Sequence, residues 1–304
     1  MFDVFTQMAA LIGCGIAWRI FKPFGFDADR CRLPLTTLVY TLLLPALVIQ
    51  VLWQAPLGLE SIQVSFAAAF GVVSALGLAW LFYRWRNTER HIMGTLILAA
   101  AFPNATYMGL PVLEQVLGDW AQSIAIQYDL FACTPLLLTV GILIAQHYGD
   151  HGKRENPFIG LLKVPPLWAA VIGVALNLGE VPKSDWMEQW LGMLAAPVIP
   201  LMLISLGMSL QWSSWRRHYA ALLLPVLLIQ LLIMPLLVWA VAWASGLEGD
   251  VLIGVILEAT MPSMVLGLVI CDRYGLNTGL YAIAVTLSTL ISLVSIPIWF
   301  SLLT

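Results

Sequence analysis

Apolar positions along this chain fall into ten runs long enough to cross a bilayer, at roughly 2–20, 33–54, 61–83, 92–117, 121–146, 159–179, 189–210, 218–245, 250–272 and 278–302. The breaks between them are short and hold nearly all the charged and turn-forming residues. They are Lys22-Pro23-Phe24-Gly25, Arg84 to Arg90, Gly149 to Asn156, Val181 to Asp185, and Arg216-Arg217-His218. No break is long enough for a separate soluble domain. The pattern predicts an all-α integral membrane protein of ten transmembrane helices.

Two of the runs contradict themselves. Ala101-Phe102-Pro103-Asn104-Ala105-Thr106-Tyr107-Met108-Gly109-Leu110-Pro111 lies inside the fourth apolar segment yet has the chemistry of a turn. Pro103 and Pro111 each remove a backbone donor and crowd the preceding turn, and Gly109 loosens what remains. The ninth segment repeats this more weakly at Met261-Pro262-Ser263, with Gly267 beyond. At 1.5 Å per residue, Asn104 lies roughly 18 Å from the end near His91, and Pro262 roughly 18 Å from the opposite end near Asp250. Both breaks therefore fall near the middle of a hydrocarbon core about 30 Å thick, where broken backbone must face protein or a water-filled cavity. Interrupted helices at matching places in two halves point to the substrate site of a secondary transporter.

Composition confirms the solvent. With 61% hydrophobic and 10% charged residues and a mean hydropathy of +0.90, the chain lacks the polar surface that water requires. Many of its 13 tryptophans stand near segment ends (Trp18, Trp53, Trp85, Trp120, Trp190, Trp212, Trp215), as an interfacial belt would place them. Cys14, Cys31, Cys133 and Cys271 share no close spacing and read as small apolar packers. Asp3 and the absence of early Lys or Arg argue against a cleavable signal.

The net charge of −3 matters less than where the charges fall. Alternating the loops between two sides places Arg19, Lys22, Arg30, Arg32, Arg84, Arg86, Arg90, Lys153, Arg154, Lys163, Arg216, Arg217 and Arg273 on one face and only Lys183 on the other. Such bias marks the crowded face as cytoplasmic and puts both termini outside, in the periplasm of a bacterial inner membrane. Five helices per half is an odd number, so two similar halves must be inverted: 1–147 and 159–304, joined by a cytoplasmic linker at 148–158. Pro103 and Pro262 occupy the fourth helix of each half, Gly118 and Gly275 follow each break, and Pro45 has a counterpart in Pro197 or Pro200.

The motif Phe102-Pro103-Asn104-Ala105-Thr106-Tyr107-Met108-Gly109-Leu110-Pro111 resembles the Asn-x-x-x-x-Gly-x-Pro element of the auxin efflux carrier family, which includes plant PIN-type auxin carriers and bacterial malate and malonate permeases. Pro200 to Leu210 is similar to that family's seventh helix, and Pro165-Pro166 to Asn177 to its sixth, although Val164 stands where the family often has Asn. Met261-Pro262 through Tyr274-Gly275, and Leu287-Ser288-Thr289-Leu290 to Pro297, resemble its last two helices. The resemblance implies a fold like that of sodium/bile-acid symporters. A scaffold of helices 1, 2, 6 and 7 (about 2–54 and 159–210) would hold a transport domain of helices 3–5 and 8–10 (about 61–146 and 218–302), with broken helices 4 and 9 crossing. It implies a small organic anion as substrate, such as malate, malonate or an auxin-like acid, and movement of one domain against the other. The expected partners are that anion and membrane lipid, with a homodimer left open and no nucleic acid.

Candidate residues follow from the breaks. Unpaired N–H groups and positive helix ends near Pro103 and Pro262 favour a carboxylate. Asn104 adds a side-chain donor or else caps the break itself. Thr106, Tyr107 and Ser263 offer hydroxyls; Gln50 faces the substrate from the scaffold or bonds a neighbouring helix. Asp129 and Glu258 lie in apolar runs about eight residues from an outer end, hence roughly 12 Å deep. Intramembrane acids are functional candidates by default. If close together they resist double ionisation, so one holds a proton; alternatively either binds Na⁺ with carbonyls of the breaks. The expected coupling ion is therefore H⁺ or Na⁺, with Na⁺ placed at Glu258, and no other cofactor or resident metal. Arg273 is expected to snorkel, and His91, His147, His151 and His218 to be solvated. No catalytic constellation suits an enzyme; a passive channel and a receptor on the same fold remain as alternatives to a carrier.

Overall fold

The computed structural model describes residues 2–149, 157–211 and 219–304. Trp212, Trp215, Arg216, Arg217, His218, His151, Lys153 and Arg154, with most of the expected 148–158 linker, lie outside these residues. Among the described residues the fold is helical, without strands. In chain order the elements are α1 (Phe2–Phe21), α2 (Ala28–Leu52), α3 (Leu59–Trp85), α4 (Arg90–Ala101), α5 (Leu110–Leu117), α6 (Asp119–Tyr148), α7 (Pro165–Leu178), α8 (Asp185–Ser209), α9 (Tyr219–Ala244), α10 (Gly249–Ala259), α11 (Gly267–Tyr274) and α12 (Thr278–Leu303). Six of them, α2, α3, α6, α8, α9 and α12, are long and apolar enough to cross a membrane unaided. The fourth and ninth apolar runs are each divided, into α4 with α5 and α10 with α11. The sixth is interrupted after a short helix, Pro157–Leu161, and resumes at Pro165-Pro166, whose fixed backbone suits a helix N-terminus.

Proline accounts for four of the five π-helical turns among the described residues, the exception being Leu137–Gly141. Pro45, Pro111, Pro135 and Pro235 each follow, by two residues, a π-helical turn: Val39–Leu43, Ala105–Gly109, Asp129–Cys133 and Ile229–Ile233. In each case the residue before the proline donates its N–H five residues back, as from Leu44 to Val39 and from Thr134 to Asp129. A proline ring pushes away the carbonyl four residues earlier and offers it no N–H. The wider turn keeps the neighbouring carbonyls bonded, which matters where no water can substitute.

Packing is that of a membrane protein. On α3 the large side chains of Ile62, Phe66, Phe70, Val73 and Leu81 face outward. Its buried face is mostly small: Ala67, Ala68, Gly71, Ala75 and Ala79. Small residues let helix backbones approach when there is no water to drive them together. A Cβ at Gly71 would lie 2.5 Å from Val238 Cγ2 on α9. The helices sort by their neighbours: α1 packs on the second half of α8, and α2 on α7 and the first half of α8, whereas α3 packs on α4 and α9, α10 on α6 and α9, and α12 on α4. Asn177 of α7 ties the first set together, its amide donating to the carbonyls of Leu52 and Trp53 at 3.0 Å and of Ala55 at 2.9 Å.

The closest crossing joins α1 to α8. A Cβ at Gly15 would overlap the Ile204 carbonyl oxygen, and one at Gly207 the Ile12 carbonyl oxygen. Backbone cannot rotate away as a side chain can. Gly207→Leu is therefore expected to destabilise by about 1–3 kcal/mol through overpacking, read as a lower thermal midpoint in detergent. Gly13→Leu, where the added Cβ meets nothing within 4 Å, is the control and should leave the midpoint within a degree or so of wild type.

Candidate functional site

The two breaks meet. Pro103 pairs antiparallel with Ser263, the Asn104 N–H donating to the Pro262 carbonyl at 2.7 Å and the Met264 N–H to the Phe102 carbonyl at 2.9 Å. Proline has no N–H to contribute, so the pairing uses the residues on either side of Pro103. Side chains secure the second break. Ser263 donates its hydroxyl to the Ala99 carbonyl at 2.6 Å, Gln230 its amide to the Met261 carbonyl at 2.9 Å, and Tyr281 its hydroxyl to the Met264 carbonyl at 2.9 Å. The Ser263 N–H donates to the Ser288 hydroxyl at 3.1 Å. The α4–α5 segment ends at Gly118, φ 99°, and the α10–α11 segment at Gly275, φ 70°. Positive φ is cheap only for glycine and lets the chain leave each helix sharply.

Both intramembrane acids reach the same π-helical turn after Pro103. Asp129 accepts from the Thr106 hydroxyl through Oδ2, and from the Thr134 hydroxyl through Oδ1 at 2.9 Å. Glu258 lies against Gly109, where a Cβ would overlap its carboxyl oxygens. Thr106 and Gly109 stand three residues apart on that turn, so the two acids approach one helical turn of backbone. Asp129 has both oxygens satisfied. Glu258 is 0% exposed, and neither of its oxygens has a hydrogen-bond partner within the protein.

Asn104 is in the same situation: fully buried, with neither its amide nitrogen nor its amide oxygen bonded. The Tyr128 and Thr289 hydroxyls are likewise buried without partners. Each such group costs about 1–3 kcal/mol when left without a partner in an apolar interior. An amide with both ends free offers a donor to an anion and an acceptor to a cation. Glu258, bearing two free oxygens, suits a proton or a hard cation such as Na⁺.

Three cavities lie along the contact between the two helix sets. A small one of about 30 Å³ is lined by Asn104, Thr106, Tyr107, Asp129, Thr134 and Tyr40. A larger one of about 280 Å³ shares Tyr40, Tyr107 and Leu266 with it and extends past Thr36 to Arg32 at the start of α2. A third, of about 250 Å³, lies toward the other end of α2 and is lined by Gln50, Glu114, Asp119 and Gln122.

Asn104, Pro103, Thr106, Tyr107 and Asp129 are thus brought together, Glu258 meets the same turn through Gly109, and Pro262 and Ser263 form the opposing strand of the break. Gln50 stands apart, in the third cavity, its amide oxygen buried and unbonded. Sequence reasoning missed Thr134, which bonds Asp129. Five residues is not a helical repeat, and only the π turn from Asp129 to Cys133 puts the two on one face. It also missed Tyr40, Tyr128 and Arg32, the last assigned simply to the basic loops.

Broken helices meeting amid buried acids, within a bundle of apolar spans, define a multi-pass membrane transport protein. The family model described as "Membrane transport protein" matches residues 12–159 and 155–300, and the chain belongs to that family, the auxin efflux carrier family of the motifs above. The chain is 30% identical over 282 residues to an uncharacterized transporter of Methanothermobacter thermautotrophicus, covering 92% of each protein. It is 25% identical over 215 residues to an uncharacterized transporter of Methanocaldococcus jannaschii, covering 68% of this chain and 67% of that one. With the uncharacterized transporter YfdV of Escherichia coli it shares 22% identity over 207 residues, 66% of this chain and 65% of the other.

The contact between Glu258 and Gly109 is open to a double-mutant test. Gly109→Ala should lower the thermal midpoint by forcing a methyl against the carboxylate. Adding Glu258→Ala should remove most of that loss, a coupling of about 1 kcal/mol or more. Additive effects of the two changes would mean that the side chains do not touch.

Proposed function

We propose that this protein is a secondary active carrier of a small organic anion, a carboxylate in the class of malate, malonate or auxin-like acids, working by alternating access and coupled to H⁺ or Na⁺. In this reading all ten apolar runs cross a bacterial inner membrane as two inverted five-helix halves, with both termini outside. The set α1, α2, α7 and α8 is the scaffold, and α3–α6 with α9–α12 the transport domain that moves against it. The mutual packing of each set supports the division, and the one-sided distribution of Lys and Arg supports the orientation.

The observation that carries the reading is Asn104: a fully buried amide with both atoms unbonded, at the junction of two broken helices and lining a cavity between the two sets. Its N–H₂ is free for a substrate carboxylate. Glu258 and the hydroxyl-bonded Asp129 reach one turn, and negative charge on either would make binding of an anion depend on a cation or proton arriving first. The 30 Å³ cavity at the break is far smaller than the cavities on either side. That constriction favours a carrier over a channel, which needs a continuous polar path. A receptor on the same fold would bind without exchange.

Counterflow of labelled small carboxylates in proteoliposomes tests the carrier. Accumulation against unlabelled internal substrate is expected from wild type, and a loss of at least tenfold from Asn104→Leu. Binding with no exchange would instead identify a receptor, and conductive currents a channel. Glu258→Gln is expected to abolish cation coupling; if uptake by that variant keeps its full dependence on pH and Na⁺, the coupling role belongs elsewhere.

A further inference from the structure

An arginine with a buried, unbonded nitrogen lines the larger cavity. Arg32 sits in the second turn of α2, and its Nε is buried with no hydrogen-bond partner. Among the described residues no carboxylate lies within ion-pairing distance of it, whereas Arg19 nearby bonds both Asp29, at 2.5 Å, and the Met208 carbonyl, at 2.7 Å. An arginine that merely snorkels sends its head group to water and leaves no buried nitrogen unpaired. Arg32 instead lines a cavity of about 280 Å³ whose other polar groups are hydroxyls: Thr36, Thr37, Tyr40 and Thr41 on one face of α2, with Tyr107 and Ser205 from other helices. The remaining wall is apolar, formed by Leu138, Leu206, Val265, Leu266 and Val269. The third cavity, at the opposite end of the domain contact, has no cation in its lining and carries Glu114 and Asp119.

We infer that Arg32 is the carboxylate anchor of a loading site in the cytoplasmic half of the protein, and that this site takes amphipathic monocarboxylates, acids with one charge and an apolar body, in preference to dicarboxylates. The inference rests on the carrier reading and narrows it. One guanidinium matches one carboxylate in a two-pronged arrangement, and the cavity offers no second cation for another. A second carboxylate would be pressed against Leu206, Val265 or Leu266, where burying an unpaired charge is costly. From Arg32 the same face of α2 leads past Thr36, whose hydroxyl already donates to the Arg32 carbonyl at 2.8 Å, to the hydroxyls of Tyr40 and Tyr107, which lie between this cavity and Asn104 and offer the acid group donors toward the break. Glu114 and Asp119 disfavour an anion on the far side, so binding there is weaker.

The test is direct binding to the purified full chain in nanodiscs, by calorimetry and thermal shift, with 3-phenylpropionate, its neutral amide and malate as probes. Expected are binding of 3-phenylpropionate, at least tenfold weaker binding of both the amide and malate, and at least a tenfold loss in Arg32→Gln with partial recovery in Arg32→Lys. An unchanged thermal midpoint without ligand shows that Arg32→Gln folds. If that variant binds like wild type, or if malate binds as well as 3-phenylpropionate, the loading site is wrong. If wild type binds none of the three, the loading site is also wrong, while the carrier reading stands or falls separately on counterflow with a wider set of anions.

Discussion

Backbone that stops being helical inside hydrocarbon must find its hydrogen bonds elsewhere in the protein. Here each break finds them in the other: Asn104 N–H to Pro262 carbonyl and Met264 N–H to Phe102 carbonyl. Neither break is affordable alone, because each would leave buried donors and acceptors unpaired. The pair fixes the placement of α4, α5, α10 and α11 around one point. Through Ser263 to Ala99, Gln230 to Met261 and Tyr281 to Met264 it also fixes neighbouring helices. A binding site at this point has walls whose positions are set by hydrogen bonds rather than by side-chain packing alone.

The same accounting separates buried polar groups that are bonded within the protein from those that are not. Ser263, Gln230 through its nitrogen, Thr106 and Thr134 are occupied within the protein. Asn104 and Glu258 are equally buried and are not. In a chain with so little polar surface, a hydrophobic residue in either place would be less costly, which is why the proposed function rests on these two. Asp129 differs from Glu258 in this respect: two hydroxyls hold its oxygens, whereas Glu258 has its oxygens free for an ion or a proton.

Much of the fold was legible in the sequence, because apolar length and proline placement are physical constraints on a chain in lipid. Pro103, Pro111 and Pro262 located the breaks. Gly118 and Gly275 marked where the divided segments end, each at positive φ. The six long spans and the two divided ones could be read this way. The register of the crossing could not: counting matched Pro103 to Pro262, whereas pairing sets Pro103 opposite Ser263. Thr134 was hidden because a π turn changes which residues share a face. Arg32 was hidden because a basic residue near a helix end is explained equally well by membrane orientation, and only its buried, unpaired nitrogen tells the two apart.

The register has a consequence for the site. Around the local two-fold of the pairing, Phe102 matches Pro262, Pro103 matches Ser263, and Asn104 matches Met264. The backbone at the crossing is close to symmetric while its side chains are not: one half presents an amide, the other a thioether. The asymmetry continues outward, since the cavity on one side carries Arg32 and a row of hydroxyls, and that on the other carries Glu114, Asp119 and Gln122. Both breaks belong to one helix set, so in the proposed carrier the crossing moves as a unit against the scaffold and keeps its hydrogen bonds. Unequal side chains on its two sides would then make the proposed carrier's two openings differ in affinity for an anion, with the cation on the Arg32 side and the carboxyls of Glu114 and Asp119 on the other.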